Sequence, residues 1–271
     1  MGRTLQVRPT FKKGKTLEKI IINDLQIAYE RQGSGTPLVL IHGYPLDHHI
    51  WQDIAPLLDT HFDLILPDLR GFGQSTTIES PYTIDDMAAD LAGLLDALGL
   101  QKACITGHSM GGYVALAFAR QYPQRVLGLA LVGSQAPDDI PERREGRYAT
   151  ARQVTEQGVG IVAESMSLKL SADNRIQAFC AALILQQSKL AVTGALKAMA
   201  TRPDSSPALA GFQFPVVLIH GKADALIPVE RAQEIHSALP HAKLVELPTA
   251  GHMPMMEFPA ETASALKMLI A

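Results

Sequence analysis

Cysteine is nearly absent: two thiols, Cys104 and Cys180, stand in a chain of 271 residues. Their number and spacing offer neither a disulfide framework nor a metal knuckle, so both read as reduced packing residues of a cytoplasmic protein. Charge is sparse and balanced, at 19% of residues with a net of −3, which leaves no basic field for nucleic acid and no acidic tail. No run approaches the roughly 18 apolar residues of a membrane span. The first fifteen residues, "MGRTLQVRPTFKKGK", carry five basic side chains but lack the apolar core of a signal peptide. Gln6 stands where a myristoylation signal needs Ser or Thr. Residues 1–18 therefore read as a mobile arm. Together these absences predict a small-molecule partner, with no membrane, nucleic acid, obligate protein partner, metal or organic cofactor.

What is present is apolar: 47% of residues are hydrophobic, enough for one core with an inserted subdomain. Short apolar runs alternate with helical patterns, the order of a mostly parallel sheet covered on both faces in an α/β protein. Strands are predicted at "LQIAYE", "PLVLI", "FDLIL", "ACIT", "VLGLALV", "PVVLI" and "AKLVEL". Residues 84–98 align Ile84, Met87, Ala88, Leu91, Leu95 and Leu98 on one helical stripe, with Thr83 placed to cap it and Gly99 to end it. A helix after residue 109 should stop near Pro123, and the last should start near Pro259. The near-repeats "PLVLIHG" and "PVVLIHG" read as central strands whose final glycines, Gly43 and Gly221, open loops on one sheet edge, where open α/β sheets hold ligands. From 136 to 212 the alternation stops and helical stripes replace it. That stretch is expected to form a helical cap over the strand ends, dividing the core into 1–135 and 213–271. Its first part, "PERREGRYATARQ", reads as a solvated charged face.

The stretch "ITGHSMGGY" sets Ser109 between Gly107 and Gly111, after one predicted strand and before a helix. G-x-S-x-G at that junction is the spacing of a sharp turn that exposes a serine oxygen over the strand ends. A serine hydroxyl is a poor nucleophile at neutral pH and needs a base near pKa 7, which imidazole supplies. Asp224 follows the strand "PVVLI" and His252 follows "AKLVEL", so serine, acid and histidine come in chain order, each past a strand end. Asp224 would orient His252 and stabilise its imidazolium. The backbone N–H groups of Met110 and Tyr44 are the candidate donors to a tetrahedral oxyanion. Asp138 and Asp139 are rival acids. His42 and His220 read as structural, and His48, His49, His61, His236 and His241 as surface or loop residues. Trp51 and Asp68 read as packing and turn residues.

The blocks "HGYPLDHHIW", "PDLRGFGQS", "GHSMGGYVALAFARQYPQRV", "GKADALIP" and "GHMPMMEFP" resemble those of the α/β-hydrolase family, in the expected order, over nearly the whole chain after about residue 20. Within that family the chain is similar to small carboxylesterases and enol-lactonase-like hydrolases, and around "HGYPL" and Trp51 to cofactor-free haloperoxidases acting as perhydrolases. The resemblance implies an eight-stranded sheet with a helical cap. Family members with an aspartate nucleophile, the haloalkane dehalogenases and epoxide hydrolases, are argued against by Ser109. The leading expectation is a serine hydrolase of short-chain carboxylic esters; the alternatives are enol-lactonase or perhydrolase chemistry, or a slowly turning-over ligand sensor. For the substrate wall of the cap, Met166, Leu168, Leu170, Phe179, Leu183 and Ile184 are the expected residues.

Overall fold

The computed structural model describes residues 17–271, and most of the arm expected over residues 1–18 lies outside them. The sheet starts one strand earlier than the patterning indicates. Glu18–Ile22 (β1) pairs antiparallel with Leu25–Gly33 (β2) across Asn23 and Asp24, at φ 49° and 65°. Asn and Asp tolerate this left-handed region, and the two-residue turn matches the twist of the strands. "EKIII" shows no alternation: Ile21 is exposed although Ile22 is buried, so its period is invisible in the sequence.

β2 runs antiparallel to Phe62–Pro67 (β4), and all further neighbours are parallel. Thr36–Ile41 (β3), Ala103–His108 (β5), Val126–Val132 (β6), Val216–Gly221 (β7) and Lys243–Leu247 (β8) complete an eight-stranded sheet in the order β1-β2-β4-β3-β5-β6-β7-β8. Every residue of β5 and β7 is buried, as expected for central strands covered on both sides. Register fixes where the loops leave. Ile41 pairs with Gly107, His108 with Val132, Val132 with Ile219 and Gly221 with Leu247. The segments following β3, β5, β7 and β8 therefore depart from one edge.

The flanking helices are Ala55–Leu58 (α1), Ile84–Ala97 (α2) and Met110–Gln121 (α3), then, past an insertion, Glu230–Ala238 (α8), Pro254–Glu257 (α9) and Pro259–Lys267 (α10). Thr83 caps α2 by accepting from the Asp86 amide at 3.1 Å, while Asp86 accepts from the Thr83 amide at 2.8 Å. Gly99 at φ 69° follows its last turn. Between β6 and β7 stand Pro141–Gln157 (α4), Gly160–Leu170 (α5), Asn174–Gln186 (α6) and Lys189–Ala200 (α7), with α4 packed on α7 and α5 on α6. Both cysteines are buried and free, and burial pushes each thiol up to about 12. No single helix among the described residues is long and apolar enough to cross a membrane.

Candidate active site

β5 ends at His108 and α3 begins at Met110, which leaves Ser109 to turn the chain between them. Its backbone sits at φ 51°, ψ −114°, a conformation costing an L-residue about 1–3 kcal/mol and held only where surroundings enforce it. Two glycines make the enforcement possible. A Cβ on Gly107 would stand 2.1 Å from the Gly111 carbonyl oxygen, and one on Gly111 would stand 2.4 Å from that of Ile41. The first turn of α3 thus lies directly against the end of β3, and Tyr44, in the loop beyond β3, lines one cavity with Ser109. Met110, as the first helical residue, has no carbonyl a turn earlier for its N–H. The Tyr44 amide donates to no backbone carbonyl among the described residues.

The loops after β7 and β8 bring Asp224 and His252 together. Asp224 Oδ2 accepts from His252 Nδ1 at 2.6 Å, and Oδ1 accepts from the amides of Leu226 and Ile227 at 2.8 and 3.0 Å. Burial alone would raise this carboxyl, but the imidazole and the two amides hold it below the ordinary carboxylate range. With Nδ1 donating, the His252 lone pair lies on Nε2, a buried atom with no hydrogen-bond partner. The structure therefore joins the candidate base to the candidate acid and leaves the Ser109 hydroxyl out of hydrogen-bond contact with Nε2. His108 bridges the elbow and the histidine loop. Its ring centroid lies 4.8 Å from that of His252, and its Nε2–H donates to the His252 carbonyl at 2.8 Å. Burial, with the charge of His252, pushes His108 down to about 3, so it stays neutral. No sequence signal marks this contact, because it joins residues 144 apart.

The rival acids are occupied elsewhere. Asp139 is buried among Arg147, Arg202 and Arg143, and Asp138 pairs with Arg144. Asp68 receives His48 Nδ1 at 2.6 Å and the Gln74 amide at 2.9 Å. His48 is thus buried, not at the surface as its loop position suggests. Asp47, His48 and His49 bring ligand-type atoms within 4.8 Å of one another. The Nδ1 of each histidine is held by a carboxylate, His48 by Asp68 and His49 by Asp47 at 2.8 Å.

Two expectations for the inserted helices need correction. Of the six predicted wall residues, Met166 lines the cavity at Ser109; Leu168, Leu170, Phe179, Leu183 and Ile184 do not. Leu168 is 66% exposed, while the other four are buried in the packing of the insertion. Leu170 also supplies the carbonyl that accepts from the His252 amide at 3.0 Å. An apolar stripe shows that a helix face is covered without showing by what. Conversely, "PERREGRYATARQ" is a solvated face only in part: Pro141, Glu142, Glu145, Arg152 and Gln153 are exposed, but Arg143, Gly146, Arg147 and Thr150 line the cavity. The apolar wall comes from residues the stripes did not single out for this role, among them Val162, Leu196, Met199, Leu226 and Ile227.

A mostly parallel eight-stranded sheet with a serine at the strand-to-helix turn after β5 and helices inserted before β7 defines the α/β-hydrolase fold. The α/β-hydrolase fold family matches residues 36–259, and the chain belongs to that family. It is similar to an esterase from Thermogutta terrifontis, solved with malate bound, at 37% identity and TM-score 0.88, with 93% of this chain and 97% of that one covered. The pimeloyl-[acyl-carrier protein] methyl ester esterase of Yersinia enterocolitica is 33% identical over 82% of this chain and 88% of its own length. A dihydrolipoyllysine-residue acetyltransferase component of the acetoin cleaving system from Pseudomonas putida is 32% identical over 82% of this chain, which spans 60% of that protein.

Proposed function

We propose that the protein is a serine hydrolase of short-chain carboxylic esters, working through an acyl-enzyme on Ser109. The observation that carries this reading is the buried His252, tied through Nδ1 to Asp224 at 2.6 Å with Nε2 unpartnered, in the loop contacted by the residue preceding Ser109. Ser109 Oγ attacks the ester carbonyl as His252 Nε2 takes its proton; Asp224 keeps the proton on Nδ1 and stabilises the imidazolium. The amides of Tyr44 and Met110 receive the developing oxyanion. His252 then protonates the departing alcohol. Water, deprotonated by the same nitrogen, attacks the acyl group, and the acid leaves as Ser109 recovers its proton. The esterases among the relatives support the same reaction type.

The cavity of about 360 Å³ sits beneath α4, α5 and α7 and suits a short acyl chain, because carbons beyond its length must displace packed helices. Two measurements test the reading. An organophosphate should add one label, on Ser109, and Ser109→Ala should lower kcat on an aryl acetate by about 10⁴ to 10⁶; label elsewhere with activity retained would refute it. Across p-nitrophenyl esters, kcat/KM should peak between acetate and hexanoate. A rate still climbing at dodecanoate would reject the short-chain specificity.

A further inference from the structure

The cavity at Ser109 is charged in a way that a neutral ester does not require. Its charged lining residues are Arg143, Arg147 and Lys169, and no carboxylate stands among them. The acid closest to this wall in the hydrogen-bond network, Asp139, is fully buried and shared. Arg147 donates to both of its oxygens, Arg202 Nη1 lies 2.8 Å away and Arg143 Nε 3.6 Å away. One negative charge therefore answers three guanidinium groups. Lys169, exposed on α5, takes no part in an ion pair among the described residues. The excess is positive and borders the space where substrate must lie.

Two donors on the same wall are also poorly used. Arg147 has bound Asp139 through Nε and Nη2, and its Nη1 donates only to the Met199 sulfur at 3.2 Å. A thioether is a weak acceptor, so a guanidinium donor gains when an oxygen replaces it. The Tyr44 hydroxyl is buried with no partner, a state that is unfavourable until an acceptor arrives. Both Tyr44 and Met199 line the cavity. Water would satisfy these donors without answering the excess charge, whereas an anionic oxygen does both.

We propose that this wall is a carboxylate subsite and that the substrate class is the half-ester of a short dicarboxylic acid. Its ester end lies at Ser109, and its free carboxylate is received by Arg147, Arg143 and Lys169 with a hydrogen bond from the Tyr44 hydroxyl. The proposal rests on the hydrolase reading above and narrows it. The apolar residues between the two ends hold the methylene chain, and the cations give the acid end a fixed direction.

The test uses three esters of one length and three charges: monoethyl adipate, its neutral amide ethyl adipamate, and cationic ethyl 6-aminohexanoate. At pH 7.5 and low salt, kcat/KM should rank acid over amide by about tenfold or more, and amide over amine, since one charge beside a wall of net positive charge is felt at that scale. Raising NaCl to 0.5 M should compress the ranking, because screening reaches these partly exposed charges. An Arg143→Gln, Lys169→Gln double variant should reduce the acid-to-amide ratio by at least about fivefold; Arg147 is left in place because it also binds Asp139. Adipate should raise the Tm of the wild type and not of the double variant, and adipamide should raise neither. An amide cleaved as fast as the acid, or a ratio unmoved in the double variant, would overturn the subsite while leaving the hydrolase standing. The adipate-dependent Tm shift without cleavage of any ester would do the reverse.

Discussion

Asp139 and Asp224 are both buried carboxylates held below their ordinary range, but by different partners. For Asp139, burial alone would raise the pKa, and hydrogen bonds and charge from Arg147 and Arg202 lower it. Asp224 is answered by an imidazole and two amides. Neutralising Asp139 strands guanidinium groups, so Asp139→Asn should cost about 3 kcal/mol of stability, the scale for breaking a buried ion pair. Asp224→Asn would present an amide N–H to Nδ1 and favour the wrong tautomer, lowering kcat by about 10⁴ with little change in Tm. Melting curves and aryl acetate kinetics on both variants check this; a large kcat loss confined to Asp139→Asn would reverse the assignment. At this scale the position of Ser109 at the turn into α3 and the meeting of Asp224 with His252 were legible because each residue follows a recognisable strand. The Arg147–Asp139 pairing and the orphaned Tyr44 hydroxyl were not, since both depend on which distant helix covers a residue.

The approach of α3 to β3 is the element-scale feature on which the site depends. Gly111 sits 2.4 and 2.6 Å, measured from an added Cβ, from the carbonyl oxygens of Ile41 and His42, and backbone atoms cannot swing aside as a side chain can. Gly111→Ala should therefore push α3 off β3 and destabilise the fold by about 3 kcal/mol, read as a lower urea midpoint; an unchanged midpoint would show that the helix shifts freely. Legibility at this scale followed periodicity. β2 to β8 and the capped α2 were visible as apolar runs or stripes between turn residues. β1 was hidden by three consecutive isoleucines of different exposure. In the insertion, the stripe of Phe179, Leu183 and Ile184 proved to be packing because α6 covers α5, and a stripe cannot tell a neighbouring helix from a ligand.

Across the whole molecule, the buried histidines set how stability responds to acid. His42, His108 and His220 are each pushed down by burial, His108 to about 3. In the unfolded chain each titrates near 6.5. Between that value and its folded pKa the unfolded state binds the extra proton, so stability falls as pH drops through the interval. His48 acts oppositely. Burial would lower it, but the Asp68 carboxylate raises it, so its contribution is complete below about pH 6.5 and is lost as pH rises through its folded pKa. Three sites outweigh one, and nearer pH 4 the depressed carboxylates Asp224 and Asp139 begin to add to the loss. Tm should accordingly be lower at pH 5 than at pH 7.5. Replacing His48 with Asn removes the opposing contribution, so the drop between the two pH values should be steeper in His48→Asn than in the wild type. Thermal melts of both proteins at the two pH values decide it: a wild-type Tm that rises on acidification would mean that the buried imidazoles take up protons without losing their packing, and a shallower drop in the variant would mean that protonated His48 does not stabilise the fold.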